Sequence, residues 1–322
     1  MLDIKELKKR ILSADNVLII PHINPDPDAL GSALGLKWIF TQLNKRSSII
    51  CDNEVSEKIC GYLDINTELD ELNAPGHFDY IISVDTASES MLGEKFKEHN
   101  IDLAVDHHYT NSLYARETYL DASAAATGEI IFDLAQELGL SPDRDFAKYI
   151  YCAIVCDSGA FRFSGTTPKT MRVAAELIET GFDFAKLNRL IFENKSLEEL
   201  AIERLAYNNL KLYANGKIAV INITRELKKA AGLEDCRLEG LSNMPRVIAG
   251  VEVGILIKEV EQREFKISLR SSDYVNVAEV AAQFEGGGHI RAAGCKIIAP
   301  PDLDKPHENI ERQLIEKIES VL

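Results

Sequence analysis

The chain has no apolar run close to the roughly 20 residues that a membrane-crossing helix needs, so a spanning segment is not expected. Its cysteines, Cys51, Cys60, Cys152, Cys156, Cys236 and Cys295, form no CxxC pair and no zinc-type spacing, which argues against a structural zinc site and predicts reduced, mostly buried thiols. Cys152 and Cys156 lie one helical turn apart beside Asp157, but packing accounts for them better than ligation, because thiolate ligands come in closer-set groups. No GxGxxG follows the first apolar strand, which excludes a Rossmann dinucleotide turn. The opening MLDIKELKKRILSADN lacks the apolar centre and small-residue cleavage site of a secretory signal. It reads as an amphipathic helix with an exposed basic face, and a cytoplasmic protein is expected.

Positive charge is also in short supply. Lys and Arg number 36 against 51 Asp and Glu, a net charge of −15 that repels a long polyanion unless basic residues gather locally. Long nucleic acid is therefore a poor partner. Small anionic substrates stay open, because divalent cations held by aspartates would cancel negative charge where a phosphate arrives.

What is present has the balance of a globular protein, with 46% hydrophobic and 27% charged residues, and a length of 322 that exceeds most single cores and predicts two domains. In the first half the short apolar runs VLIIP (17–21), YIISV (80–84) and IDLAV (101–105) alternate with helical periodicity. The helical stretches are Ala29 to Leu43, the region around Ser90 to Glu98, Ser123 to Leu138, and Phe146 to Cys156. Runs that are apolar throughout suit strands buried on both faces, and their alternation with helices predicts βαβ units in a doubly wound parallel sheet over residues 1–185. The polar helical stretch Asp183 to Asn208 predicts a helical linker over 186–209. From 210 to 322 the runs KIAVINIT, VIAGVEVGILIKEV and FKISLRSS, with NVAEVAAQF as a helix, predict a smaller α/β domain with a mixed sheet.

Chemistry gathers at the strand ends. VLIIP runs into His22, Asp26 and Asp28, YIISV into Asp85, and IDLAV into Asp106, His107 and His108, while Asp157 follows the helix KYIYCAIVC. The carboxyl ends of strands in an open parallel sheet form the ligand crevice, so these side chains are expected to converge. Singly they mean little, since an Asp after a strand is commonly a turn residue or helix cap. Four loops at one sheet edge that all deliver Asp or His point to a metal site. Carboxylate and imidazole without thiolate suit Mn²⁺, Mg²⁺ or Co²⁺, and the candidates exceed what one ion needs. They fit two ions about 3.5 to 4 Å apart with a shared carboxylate, which hold a hydroxide for in-line attack on phosphorus.

The second half carries GGGHIRAAG, in which Gly286, Gly287 and Gly288 stand beside His289 and Arg291. Backbone N–H groups there could approach a phosphate, although a flexible turn is the simpler reading of the segment alone. Arg270, at the end of FKISLRS, is a second candidate phosphate ligand or a solvated strand-end residue.

HINPDPDALGS, VDTAS, VDHH and CDSGAFRF, in this order, resemble the four N-terminal motifs of the DHH phosphoesterase superfamily, and SLRS with GGGHIRAAG resembles the associated DHHA1 domain. Length and ending are most similar to the subgroup of nano-RNases and 3′-phosphoadenosine-5′-phosphate (pAp) phosphatases. The resemblance implies that His22, Asp26 and Asp85 hold one Mn²⁺ and that Asp28, Asp85, His107 and Asp157 hold the other, with Asp85 bridging. It implies that His108 faces the scissile phosphate, that Asp106 orients a histidine, and that Arg270, Gly286, Gly287, Gly288, His289 and Arg291 grip the substrate's terminal phosphate and nucleotide. The pattern departs at Cys156, where many relatives carry threonine or another small residue.

The activity implied is hydrolysis of short oligoribonucleotides to mononucleotides and removal of the 3′-phosphate of pAp. Substrate would enter a cleft between the domains, and a homodimer is expected. Two alternatives stay open. A manganese pyrophosphatase or exopolyphosphatase shares the scaffold, but its SRKKQ-type signature is not found here. A non-catalytic nucleotide sensor would tolerate loss of a metal ligand, and none is lost.

Overall fold

The capping box that opens the chain's first helix shows how locally the fold is specified: Asp3 accepts from the Glu6 backbone N–H, and the Glu6 side chain accepts from that of Asp3. The computed structural model describes residues 1–322 apart from 54, 66–77, 97–98, 235, 237 and 239. The chain divides into two compact units, Met1–Asn194 and Lys195–Leu322.

The first unit contains α1 (Ile4–Ser13), β1 (Asn16–Pro21), α2 (Pro27–Gln42), β2 (Arg46–Ile49), α3 (Glu57–Leu63), β3 (Tyr80–Val84), β4 (Leu103–Asp106), β5 (Glu117–Leu120), α4 (Thr127–Glu137), α5 (Arg144–Asp157), α6 (Pro168–Glu179) and α7 (Phe184–Phe192). Its five strands are all parallel, in the order β2-β1-β3-β4-β5. The expected parallel sheet is therefore present; among the described residues its helices pack on the face of Val17, Ile19 and Ile82, while Leu18 and Ile20 on the other face meet Leu92 and Phe96 of the segment after β3. The chain leaves β1 toward one edge and returns to β3 on the other side, so the switch point lies between β1 and β3, where such sheets bind ligands.

The strands that sequence reasoning did not anticipate, β2 (RSSI) and β5 (ETYL), are the two sheet edges, short and largely polar. Around Ser90 to Glu98 the expected helix is replaced by two 3-10 turns, Glu89–Met91 and Glu94–Phe96, and Lys97 and Glu98 lie outside the described residues. Between the turns Gly93 takes φ +90°, which a continuing right-handed helix cannot accommodate.

Helices α2, α4 and α5 pack without side chains between them at two points. A Cβ on Gly31 would lie 2.5 Å from the Tyr149 carbonyl oxygen, and one on Gly128 would lie 2.6 Å from the Ala153 Cβ. This close approach sets the spacing of three helices whose residues reach the site described below.

The second unit contains α8 (Leu197–Asn208), β6 (Leu210–Tyr213), β7 (Ile218–Ile223), α9 (Arg225–Ala230), β8 (Val253–Glu261), β9 (Glu264–Ser271), α10 (Val277–Ala282), β10 (Gly287–His289), β11 (Ala292–Ile298) and α11 (Pro306–Glu319). Residues 186–209 are thus mainly two helices, α7 in the first unit and α8 in the second. The sheet order is β10-β11-β9-β8-β7-β6, antiparallel except between β7 and β8, as a mixed sheet requires. One face, through Ile255, Ile257, Phe265, Ile267 and Leu269, packs on α10 and α11. On the other face Ile221, Ile223 and Leu256 pack on Ile202 and Ala206 of α8.

The segment GGGH is a strand of a β-hairpin rather than a loop. Gly288 takes φ +140°, and a Cβ there would meet the Ala292 carbonyl oxygen at 2.5 Å, so the tight β10–β11 pairing demands glycine. All six cysteines are free; Cys152 and Cys295 are buried and the other four partly buried. Among the described residues no helix is long and apolar enough to cross a membrane.

Replacing Gly31 by Val should force α2 and α5 apart at a cost of about 1–3 kcal/mol, a drop of roughly 2–12 °C in Tm by thermal unfolding. An unchanged Tm would show that the close contact is not needed.

Candidate metal centre

Asp26 is the N-cap of α2, where its carboxylate accepts from the N–H groups of Asp28 and Ala29 at 2.9 and 3.0 Å. Pro27 at the first helical position fixes that turn, so the helix start aims both Asp26 and Asp28 at the end of β1. Asp28 is buried, and the start of α4 receives it. The N–H groups of Thr127 and Gly128 donate to its two oxygens at 2.8 and 2.9 Å, and Ser32 Oγ donates at 3.0 Å. A carboxylate at a helix N-terminus is held there by free N–H donors and the helix dipole.

Asp85 follows β3 with φ +55°, an uncommon conformation that Asp tolerates better than most residues. Its N–H still donates to the Val105 carbonyl oxygen at 3.0 Å, while the side chain turns into the crevice. Thr127 Oγ1 donates to Oδ1 at 2.9 Å. The two carboxylate oxygens face opposite sides: Oδ2 lies 4.0 Å from His22 Nε2, and Oδ1 lies 3.7 Å from His107 Nε2.

His107 Nδ1 donates to the Ala124 carbonyl oxygen at 3.2 Å, which fixes the ring and leaves Nε2 toward the carboxylates. That Nε2 lies 3.5 Å from Asp157 Oδ2 and 3.8 Å from Asp28 Oδ2. His108 behaves differently. Its Nδ1 donates to Asp106 Oδ1 at 2.8 Å, and Asp106 is further held by Asn111 Nδ2 at 2.6 Å and the His107 N–H at 2.9 Å. Burial works against the Asp106 carboxylate, but the hydrogen bonds from His108 and Asn111 outweigh it and keep its pKa below the usual range. Burial likewise opposes the His108 imidazolium, and the Asp106 hydrogen bond and charge raise it nonetheless.

Three overlapping groups can each offer ligand atoms within 4.8 Å of one another: His22, Asp26 and Asp85; Asp28, His107 and Asp157; and Asp85, His107 and His108. The charge state argues that cations belong there. Burial, then the charges of Asp28 and Asp26, push Asp85 well above the usual carboxylate range. Burial followed by Asp28 pushes Asp157 up to about 7, and burial raises Asp28 against the opposing pull of His107. Asp26, its side chain half-exposed, stays low because His22 and two backbone N–H groups outweigh its partial desolvation. A set of close carboxylates, two of them buried, three of which are pushed toward taking up protons, is chemically fitted to divalent metal ions.

The seven strand-end residues singled out in the first half of the sequence, and Asp157 at the end of α5, meet at this edge. In the second unit Arg270 and His289 also come together, since Ala292 pairs with both across β9, β11 and β10. Burial and then the charge of Arg246 lower the Arg270 pKa. Gly287 and Gly288 lie in β10, with Gly286 just before it. Arg291 is engaged elsewhere, its Nη1 donating to the Val275 carbonyl oxygen at 2.9 Å.

Sequence reasoning missed Thr127, Gly128, Ser32 and Asn111. The signal for the first two was a Thr-Gly pair opening a helix, which reads as an ordinary helix start until Asp28 and Asp85 are known to lie against it. Replacing Thr127 by Val keeps the shape but removes the donor to Asp85, and should weaken metal binding about 10- to 100-fold by calorimetry. Unchanged affinity would remove Thr127 from the site.

Residues 16–154 match the DHH family, N-terminal domain, and residues 215–318 match the DHHA1 domain. The bifunctional oligoribonuclease and PAP phosphatase NrnA of Thermus thermophilus is 29% identical over 304 residues, covering 94% of this chain and 90% of that protein. The Bacillus subtilis protein of the same name is 27% identical over 310 residues, covering 95% and 97%. An exopolyphosphatase-related protein from Bacteroides fragilis has the same fold, with a TM-score of 0.86 at 23% identity over 97% of this chain and 95% of that one. The first unit thus carries a DHH-family N-terminal domain and the second unit a DHHA1 domain.

Proposed function

We propose that this chain is a Mn²⁺-dependent phosphoesterase that releases mononucleotides from short oligoribonucleotides and removes the 3′-phosphate of pAp. The observation that carries this reading is Asp85, whose two oxygens face His22 on one side and His107 on the other. A carboxylate so placed suits a bridge between two divalent ions. His22, Asp26 and Asp85 would hold one, and Asp28, Asp85, His107 and Asp157 the other. Such ions supply positive charge to the phosphoryl oxygens and lower the pKa of water.

The chain's own groups would do the rest. His108, held at Nδ1 by Asp106, would stabilise charge on the phosphate or protonate the leaving oxygen, with Asp106 as its positioning residue. Arg270, His289 and the glycines of β10 would bind the terminal phosphate of the substrate. The names of the Thermus thermophilus and Bacillus subtilis relatives support this substrate class. The net charge of −15 is in keeping with small substrates rather than long strands. A cytoplasmic setting and a homodimeric state belong to the same reading.

The test incubates the purified protein with Mn²⁺ and, separately, a 5′-phosphorylated diribonucleotide, pAp, pyrophosphate and polyphosphate. Mononucleotide from the dinucleotide and phosphate from pAp are expected. Asp85→Asn should lower kcat/KM at least about 100-fold, and Asp106→Asn about 10- to 100-fold. Phosphate released only from pyrophosphate or polyphosphate would overturn the assignment in favour of a pyrophosphatase or exopolyphosphatase. Binding without turnover would make the chain a nucleotide sensor.

A further inference from the structure

One face of the second unit's sheet is organised in a way that terminal-phosphate binding does not use. Cross-strand register places Lys296, Lys266 and Lys258 directly opposite one another on β11, β9 and β8. Residues so paired share a face with Cβ atoms about 5 Å apart, and like charges in that arrangement are destabilising. The chain is strongly acidic overall, yet it sets three ammonium groups side by side. Lys296, itself largely exposed, pairs with Glu264 at 2.9 Å.

Four residues along β9 from Lys266, on the same face, stands Arg270, whose row continues through Ala292 to His289. Between these two cationic rows runs a third made of Ser268, Gly294 and Gly287, almost free of side chains. All three rows line one concavity of about 860 Å³, a volume typical of ligand sites, to which Glu264 contributes a carboxylate. Strand rise puts the outer rows about 13 Å apart.

That separation selects a ligand. Adjacent phosphorus atoms of a nucleotide chain, and the two of pAp, are joined by six bonds of about 1.5 Å, too few to span it. Two nucleotide steps do span it. We propose that this face is an oligonucleotide subsite: the row of Arg270 and His289 holds one phosphate, the lysine row holds the phosphate two steps along, and the glycine-serine row passes under the nucleotide between. The inference rests on the nucleotide substrate class proposed above and deepens it, because it makes the lysine row a determinant of strand length that pAp cannot engage.

The experiment compares the full-length Mn²⁺ protein with Lys266→Gln and with the triple variant Lys258→Gln, Lys266→Gln, Lys296→Gln. For the triple variant, the ratio of kcat/KM for a 5′-phosphorylated triribonucleotide to that for pAp should fall at least 10-fold, through a rise in KM for the trinucleotide. Tm, read for each variant, checks that the fold is kept. An unchanged ratio, or a lower Tm with equal losses on both substrates, would overturn the proposal.

A second readout is independent of turnover. Trinucleotide binding to chelator-treated protein, followed by fluorescence polarisation against salt, should show a log–log slope shallower by roughly 0.7 or more in the triple variant. If wild type hydrolyses nothing but the slope still changes, the activity proposal falls and the subsite stands. If wild type is active and the slope is identical in the variant, the subsite is wrong.

Discussion

Like charges brought together in one crevice dictate the architecture of the first unit. Asp26, Asp28, Asp85 and Asp157 approach one another closely enough that burial and mutual repulsion push three of the four pKa values upward. The fold tolerates this by surrounding the acids with fixed donors. The start of α4 gives two backbone N–H groups to Asp28 and a hydroxyl to Asp85, and the first N–H groups of α2 donate to Asp26, which caps that helix; His107, held at Nδ1 by the Ala124 carbonyl oxygen, turns Nε2 toward the acids. What the donors leave uncompensated is a concentration of negative charge that divalent cations neutralise better than protons do.

Topology makes the convergence possible. With the order β2-β1-β3-β4-β5, the ends of β1, β3 and β4 are neighbours, so residues from three distant segments meet without a long excursion by any loop. Glycines at 31 and 128 then let α2, α4 and α5 approach closely enough to bring Asp28, Thr127 and Asp157 to the same edge. The site is thus built mainly on helix and strand termini, which are stiffer than free loops and hold ligand geometry better. The conformation of Asp85, at positive φ, is the local strain this placement requires.

Much of this was legible in the chain. The apolar runs ending in His22, Asp85 and Asp106 marked the central strands and their active edge, because strands buried on both faces leave an unmistakable composition. Edge strands β2 and β5 were not legible, since half-exposed polar residues carry little strand signal. Thr127 was invisible for another reason: a hydroxyl's partner across 42 positions is a fact of packing, not of pattern. The hairpin role of the GGGH glycines and the lysine row depend on cross-strand register, and no local period in the sequence reports which residues on β8, β9 and β11 lie opposite one another.

The most direct test of the central claim is manganese anomalous scattering from crystals of the Mn²⁺-loaded protein, with elemental analysis of the same sample. Two manganese peaks per chain are expected, about 3.5 to 4 Å apart, with one Asp85 oxygen directed to each. A crevice without manganese, or a single ion that Asp85 does not contact, would contradict it.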